Sequence, residues 1–578
     1  VSNSSAAQVT SNNVVSAFNS NGFNLGTTYD VNQSPTDFVS WTFRKQEGFF
    51  DVVTYTDGGG GSAAIPHSLG SVPGAMMVKN LSGGGAWQFY HKDMDSSSPQ
   101  NYSMQVNETS ARGTTSVWNN TAPTSTHFSV GNNLYENGNN YVAYLFADSE
   151  ASFGTDGDES IIKCGSYTGT GANGRATIDI GFEPQWVLIK GTENSGTYWI
   201  ILDNMRGAGD DANDQPYLTA NVANAESSPP GGGLRAFIAS NGFGWRNQGG
   251  SLQVDKENKE YVYMAIRRPH KPLDAFDPSL DATDVFFPSA QSSSSNTFSV
   301  GFPLDMAVST RNSGGSRYVV SRLTGSKDAL EANKNVAVET YNASLDLQDS
   351  FSLNGWIGNA PTINLCFRRA PGFFDMVIYD GTGSAQTIAH KLYATPSVVL
   401  IKGTESPAHH WFWQHYALGA NTYLELDTDA IKSSNADQFN NTLPTSSVFS
   451  VSNSSQDDGT NASNKMYVAY LFGDLPGVSK AGTYTGTGNT INVDCGFTNG
   501  ARLVIIKRTD NQTGSWYVWN SSSGINSGND PYFNIDTTSA ETTNTDYIDP
   551  LNAGFTVTSS APIGLNNGGS TYLFLAIA

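Results

Sequence analysis

The chain has 578 residues, more than one hydrophobic core accommodates, so several domains with separate cores are expected. Its 59 glycines, 11% aromatic residues and only 14% charged residues favour short strands and frequent turns over helices. A net charge of -21 leaves no cationic excess to displace counterions from phosphates, which argues against a nucleic-acid partner. No apolar run reaches the length needed for membrane insertion.

In chain order the sequence divides into segments 1–46, 47–150, 151–269, 270–370, 371–475 and 476–578, labelled here modules A to F. Module A carries Ser20-Asn21-Gly22-Phe23 and Trp41-Thr42-Phe43-Arg44-Lys45, which reproduce Ser240-Asn241-Gly242-Phe243 and Met264-Ala265-Ile266-Arg267-Arg268 of module C. It reads as the C-terminal half of a module, and the chain as a fragment of a longer polypeptide.

Modules B and E form one type, termed odd. They open on Gly48-Phe49-Phe50-Asp51 and Gly372-Phe373-Phe374-Asp375, share His67 with His390 and an apolar strand closed by Lys79 or Lys402, and end on the same Tyr-Val-Ala-Tyr-Leu-Phe string at 141–146 and 467–472. Modules C and F form the even type, opening on Gly165-Ser166-Tyr167-Thr168-Gly169 and Gly482-Thr483-Tyr484-Thr485-Gly486 and carrying Lys190 and Lys507. Module D, a linker followed by a degenerate copy, keeps Gly301-Phe302-Pro303 and Leu365-Cys366-Phe367-Arg368-Arg369 but loses the tryptophan that follows the apolar strand elsewhere.

Trp87, Phe89 and His91 alternate with Gln88 and Tyr90, the two-residue period of a strand. Trp186-Val187-Leu188-Ile189 and Leu503-Val504-Ile505-Ile506 are short and continuously apolar, as in a central strand covered on both faces. The fold expected is all-β: tandem antiparallel β-sandwich, jelly-roll-like modules of roughly one hundred residues.

Cys164, Cys366 and Cys495 each replace a small or apolar residue at a different module position, so they read as buried structural thiols. The aligned Lys79, Lys190, Lys402 and Lys507 read as architectural, with buried stems and surface amines. Trp87, Trp199, Trp411 and Trp516 read as core. The paired basic residues at 44–45, 267–268 and 368–369 read as polar junctions between segments.

Histidine is scarce, and the aligned pairs His67/His390 and His91/His415 occur only in odd modules. They could form a ligand site or simply cap strand ends through backbone hydrogen bonds. His409, adjoining His410, Trp411 and Trp413, has no counterpart in module B and suggests a local binding loop where aromatic faces could stack on sugars. The candidate ligand-binding residues are therefore His67, His91, His390, His409, His415 and Trp413. No nucleophile elbow, metal-binding helix or phosphate loop is present, so no catalytic residue, metal or cofactor is assigned. A glycosidase carboxylate pair has no local signature, which leaves a glycan depolymerase as a further alternative.

The odd-module string, His67-Ser68-Leu69-Gly70, Pro73-Gly74, a strand closed by Lys79 and then Trp87 leading to Tyr90-His91, resembles a repeat domain of tail-fibre and virion structural proteins of tailed, marine cyanophage-like phages. The resemblance implies a non-enzymatic tail fibre or capsid appendage, located on the virion and mediating host attachment. Its implied partners are neighbouring virion proteins, other copies of the chain and a host cell-surface glycan, with a homo-oligomer, a trimer by analogy. The alternative is a bacterial surface adhesin or extracellular filament subunit.

Overall fold

Tyrosine, valine, isoleucine and phenylalanine alternate or run together over four to eight residues throughout the chain, and these runs become its strands. The computed structural model describes all residues except 1, 12, 37, 132–133, 137, 151, 154–156, 172–175, 207–215, 227–235, 240, 246–253, 269–279, 292–296, 342, 344, 346–348, 354–360, 406–408, 435–437, 453–458 and 511. Much of the linker expected at the start of module D lies outside the described residues.

One topology recurs in modules B to F. In module E the first strand, Phe374–Asp380, pairs with the last, Met466–Phe472, which pairs in turn with the third, Val398–Gly403, followed by the fourth, Phe412–His415, and the fifth, Thr422–Glu425. A second, small sheet joins Gln386–Ala389 to Val448–Val451, and every pairing is antiparallel. Module F repeats this order, with a three-stranded small sheet. Register is kept as well: Val398 lies opposite Phe472, Leu503 opposite Ile577 and Met306 opposite Phe367. Module D therefore retains the fold although its sequence has diverged. The chain is all-β, built of tandem sandwich modules.

The third strand opens on four apolar residues, Val398 to Ile401, because both its faces are covered. Val399 and Ile401 point into the sandwich with Ile388, Phe449 and Val451. Val398 and Leu400, on the opposite face by the period of two, join side chains from other modules. Inside the sandwiches, stacked tyrosine pairs bridge first and last strands in four modules: Tyr55–Tyr141, Tyr167–Tyr261, Tyr379–Tyr467 and Tyr484–Tyr572. Gln291 and Thr362 face each other at this position in module D. All three cysteines are buried and free.

The outer faces of the main sheets make the modules cluster rather than string out. Modules D, E and F meet around one apolar centre, with Met306, Leu365 and Phe367 from D, Leu400 and Tyr470 from E, and Leu503, Ile505 and Leu575 from F enclosing a residual cavity of about 50 Å³. D and F touch although E separates them in sequence, so a simple tandem string does not describe the chain. Modules B and C share a second centre where Phe89 meets Trp199 edge-on at 4.8 Å. Module A adds the hairpin Val15–Asn19 and Gly22–Leu25 and a segment whose Phe43 packs on Phe50, Phe146 and Trp186.

Candidate functional site

The side chains that the repeats hold in common converge on the seams between modules. The residue just before each fourth strand donates its backbone N–H to a side-chain oxygen just beyond the fifth: Trp87 to Asn107, Trp199 to Asn221, Trp411 to Asp427 and Trp516 to Asp536, at 2.9 to 3.1 Å. Three of these indoles then cross the seam. Trp199 Nε1 donates to the Gln105 carbonyl at 3.0 Å, Trp411 Nε1 to that of Glu331 at 2.9 Å and Trp516 Nε1 to that of Glu425 at 3.0 Å. Each acceptor ends a fifth strand of the neighbouring module.

Above these indoles sit the aligned lysines, with Nζ 5.8 Å from the Trp199 ring centre, 5.7 Å from Trp411 and 5.5 Å from Trp516. The expectation of surface amines is corrected here: Lys190, Lys402 and Lys507 are at most 1% exposed. Backbone carbonyls and the indole face replace water around each ammonium. Lys190 donates to Thr109 and Thr197, Lys402 to Lys334 and His409, and Lys79 to Ser5 and Gly85, so one acceptor in each set belongs to the adjoining module. Burial pushes the amines down, Lys190 to about 7 and Lys402 and Lys507 to about 8.

Module D meets the same requirement with different chemistry. The lysine position is Thr310 and the tryptophan position is Arg317, whose N–H donates to Asn333 at 2.7 Å. Its Nε donates to the Asn534 carbonyl at 3.1 Å, its Nη2 to the Ser539 carbonyl and its Nη1 to Thr310 Oγ1 at 2.6 Å, while the guanidinium lies over Phe533. One arginine thus makes the seam contacts of both the indole and the ammonium. Because Asn534 ends the fifth strand of module F, the contacts close on themselves: F reaches E, E reaches D, and D reaches F.

The histidines serve the same architecture, and the structure does not gather them into one site. His91 is fully buried; its Nδ1 accepts the Asp93 N–H at 3.1 Å, which leaves Nε2–H to donate to the Tyr263 carbonyl of module C at 3.1 Å. His415 keeps the first of these contacts in module E, its Nδ1 accepting the Ala417 N–H at 3.2 Å, and its ring lies near the Phe574 carbonyl of module F. Burial lowers both to about 4. His67 and His390 instead link loops within their modules, accepting from Leu69 and Leu392 at 3.3 Å and donating to Thr124 and Thr445 at 3.1 Å. His409 is buried 5.6 Å from Tyr467, and Trp413 packs on Trp516 at 4.9 Å. A sugar platform at Trp413 is therefore closed by the E–F seam. Among the described residues no cluster of His, Cys, Asp and Glu is placed to hold a metal.

Of the paired basic residues, Arg267 and Arg369 are buried and Arg268 is half-buried, whereas Arg44, Lys45 and Arg368 face solvent. Arg369 contacts Glu183 at 2.9 Å and Asp305 at 3.1 Å, and Arg268 reaches Glu183 at 3.4 Å and Asp375 at 3.5 Å, joining modules C, D and E. Burial raises the Asp305 carboxyl, but Arg369 and Arg322 outweigh it and hold it below its ordinary value. At the odd-module tips solvent meets exposed Asn119-Asn120-Thr121 and Asn440-Asn441-Thr442, whose four asparagines adopt φ of 47° to 51°, beside exposed Thr124, Thr126, Thr445 and Ser447, with Ala122, His127 and Leu443 also exposed.

No curated protein matches the chain. A family model described as a domain of unknown function, DUF7483, matches residues 1–269 and 368–578. The span it omits is that of module D, where Thr310 and Arg317 replace the lysine and tryptophan of the seam. By a match over most of its length, the chain belongs to the DUF7483 family.

Proposed function

We propose that this protein is a structural and adhesive component of a virion, a phage tail fibre or capsid appendage, that meets a host-surface glycan through its odd-module tips. The observation that carries this reading is where the repeated side chains go. Three of the aligned lysines, three of the aligned tryptophans and His91 join modules, His67 and His390 tie loops within theirs, and amide- and hydroxyl-bearing loops face outward. Such groups suit sugar hydroxyls, and two equivalent tips in one chain favour avidity over single-site affinity.

Immunogold electron microscopy of whole virions is expected to label tail or capsid appendages. Label confined to a bacterial surface would replace the virion reading with an adhesin. On a glycan array, Asn120→Gly with Asn441→Gly preserves backbone freedom at φ > 0 while deleting both amides. Retention falling about tenfold or more, the loss of one or two hydrogen bonds, is the expected result. Unchanged retention would remove the tips, and glycan cleavage would identify a depolymerase.

A further inference from the structure

Where module B hands over to module C, two carboxylates share a cavity that holds no cation of the protein's own. Gln46, Glu47, Ser71, Glu150 and Ser152 line a space of about 260 Å³, and no Lys, Arg or His is among the residues around it. Two glycines make the room. Gly48 and Gly70 lie at φ of 72° and 78°, and a Cβ at Gly70 would stand 2.3 Å from Glu47 Cγ, one at Gly48 2.8 Å from Ser152 Oγ. Among the described residues neither Glu47 nor Glu150 has a hydrogen bond or ion pair within the protein. At the base lies Ser71, only 6% exposed, whose Oγ has no hydrogen-bond partner although buried hydroxyls are ordinarily satisfied.

Module E closes the same place without these donors. Ala370, Pro371, Ala394 and Pro476 stand where module B has Gln46, Glu47, Ser71 and Glu150, and Tyr393 stands for Gly70, its hydroxyl engaged with Glu159 at 3.1 Å. The connector beyond differs as well. Asp474 accepts the N–H of Ala481 seven residues on, whereas Asp148 accepts that of Cys164 sixteen residues on. Leu475 pins the short connector by burial in the apolar centre, while its counterpart Ser149 is exposed. The longer B–C connector instead brings Glu150 and Ser152 back beside Gly48.

We propose that this cavity is a calcium site that fastens the B–C connector to the start of module B. Two carboxylates, the Ser71 and Ser152 hydroxyls and the Gln46 amide oxygen form an all-oxygen set of mixed charge, which suits a hard cation. Donors drawn from three separate loops favour the irregular, expandable shell of Ca²⁺ over the strict octahedron of Mg²⁺, and with two carboxylates a Kd of about 0.1–1 mM is expected. The site is independent of the role proposed above.

Amide exchange of the full chain tests the site, comparing chelator with CaCl₂ at about 5 mM, several times that Kd. Exchange at Gly48, Gly70 and Phe153 should slow about fivefold or more and saturate along a calcium titration. Glu47→Gln and Glu150→Gln, which keep side-chain shape, should each raise the midpoint at least tenfold, and Ser71→Ala about threefold. Glu257→Gln, an exposed carboxylate elsewhere, should leave it unchanged and so separates the site from diffuse binding to an acidic chain. Exchange indifferent to calcium overturns the proposal, as does protection that survives in both glutamine variants. Equal protection by MgCl₂ at the same concentration overturns the assignment to calcium.

Discussion

His91 and His415 are kept neutral by geometry as well as by burial. A backbone N–H aimed at Nδ1 requires that nitrogen to be unprotonated in both rings, and in His91 the Tyr263 carbonyl opposite Nε2 requires a proton there, so the neutral tautomer satisfies both of its contacts. With pKa values of about 4 in the fold against an ordinary 6.5, the folded state binds fewer protons between those limits. Stability therefore rises with pH across that window and is lost on acidification, by about 3 kcal/mol per histidine. Melting temperatures at pH 4.5 and 7 should differ sharply, and His91→Gln with His415→Gln should narrow the gap. A second slope is expected at higher pH. Lys402 and Lys507 titrate near 8 in the fold and near 10.5 when unfolded, so stability should climb from about pH 8 until tyrosines of the unfolded chain ionise near 10. Lys402→Met should flatten that climb in a pH series of urea unfolding curves.

At the scale of strands and seams, Arg317 offers the clearest exchange of parts. Replacing it with tryptophan alone abandons Thr310 and the Ser539 carbonyl, and a loss of about 2–4 kcal/mol is expected for buried polar groups left unmatched. Adding Thr310→Lys rebuilds the pair found at Lys402 and Trp411, and most of the loss should return. A double-mutant cycle by urea denaturation should give a coupling of about 1–3 kcal/mol, whereas additive effects would show that the two positions do not act together. The repeat, the central strands covered on both faces and the buried thiols were legible because each is set by local periodicity or by substitution between copies. The seams were not. Trp411 bonds a residue 80 positions away and Arg317 bonds one 217 positions away, and sequence spacing does not record which outer faces meet. The lysines misled for the same reason: a polar end beside a strand exit reads as solvent-facing until the adjoining module supplies the carbonyls. Among the histidine candidates, neither the i+2 N–H that fills Nδ1 nor the distant carbonyl opposite Nε2 leaves a distinctive sequence signal.

For the molecule as a whole, the D–E–F cluster is a head-to-tail contact that closes after three steps, the geometry by which identical subunits form a ring, here written into one chain. Each main sheet of the cluster has its outer face covered by its neighbours, so removing one member should affect the other two more than its own share of the core. Deleting residues 280–368 and joining module C to module E would expose Leu400, Trp411, Tyr470 and Phe472 together with Leu503, Ile505 and Leu575, an apolar surface that monomeric proteins do not carry. It would also remove Glu331 as acceptor for Trp411, Lys334 as acceptor for Lys402, and Arg317 as donor to module F. The B–C seam depends on none of these groups. The deleted chain should therefore self-associate at micromolar concentration in light scattering, and amide exchange should quicken across modules E and F while the strand Pro184–Gly191 of module C keeps its protection. A monodisperse deletion variant with unchanged exchange in modules E and F would show instead that each sandwich is stable alone and that the shared centre adds contact without cooperativity.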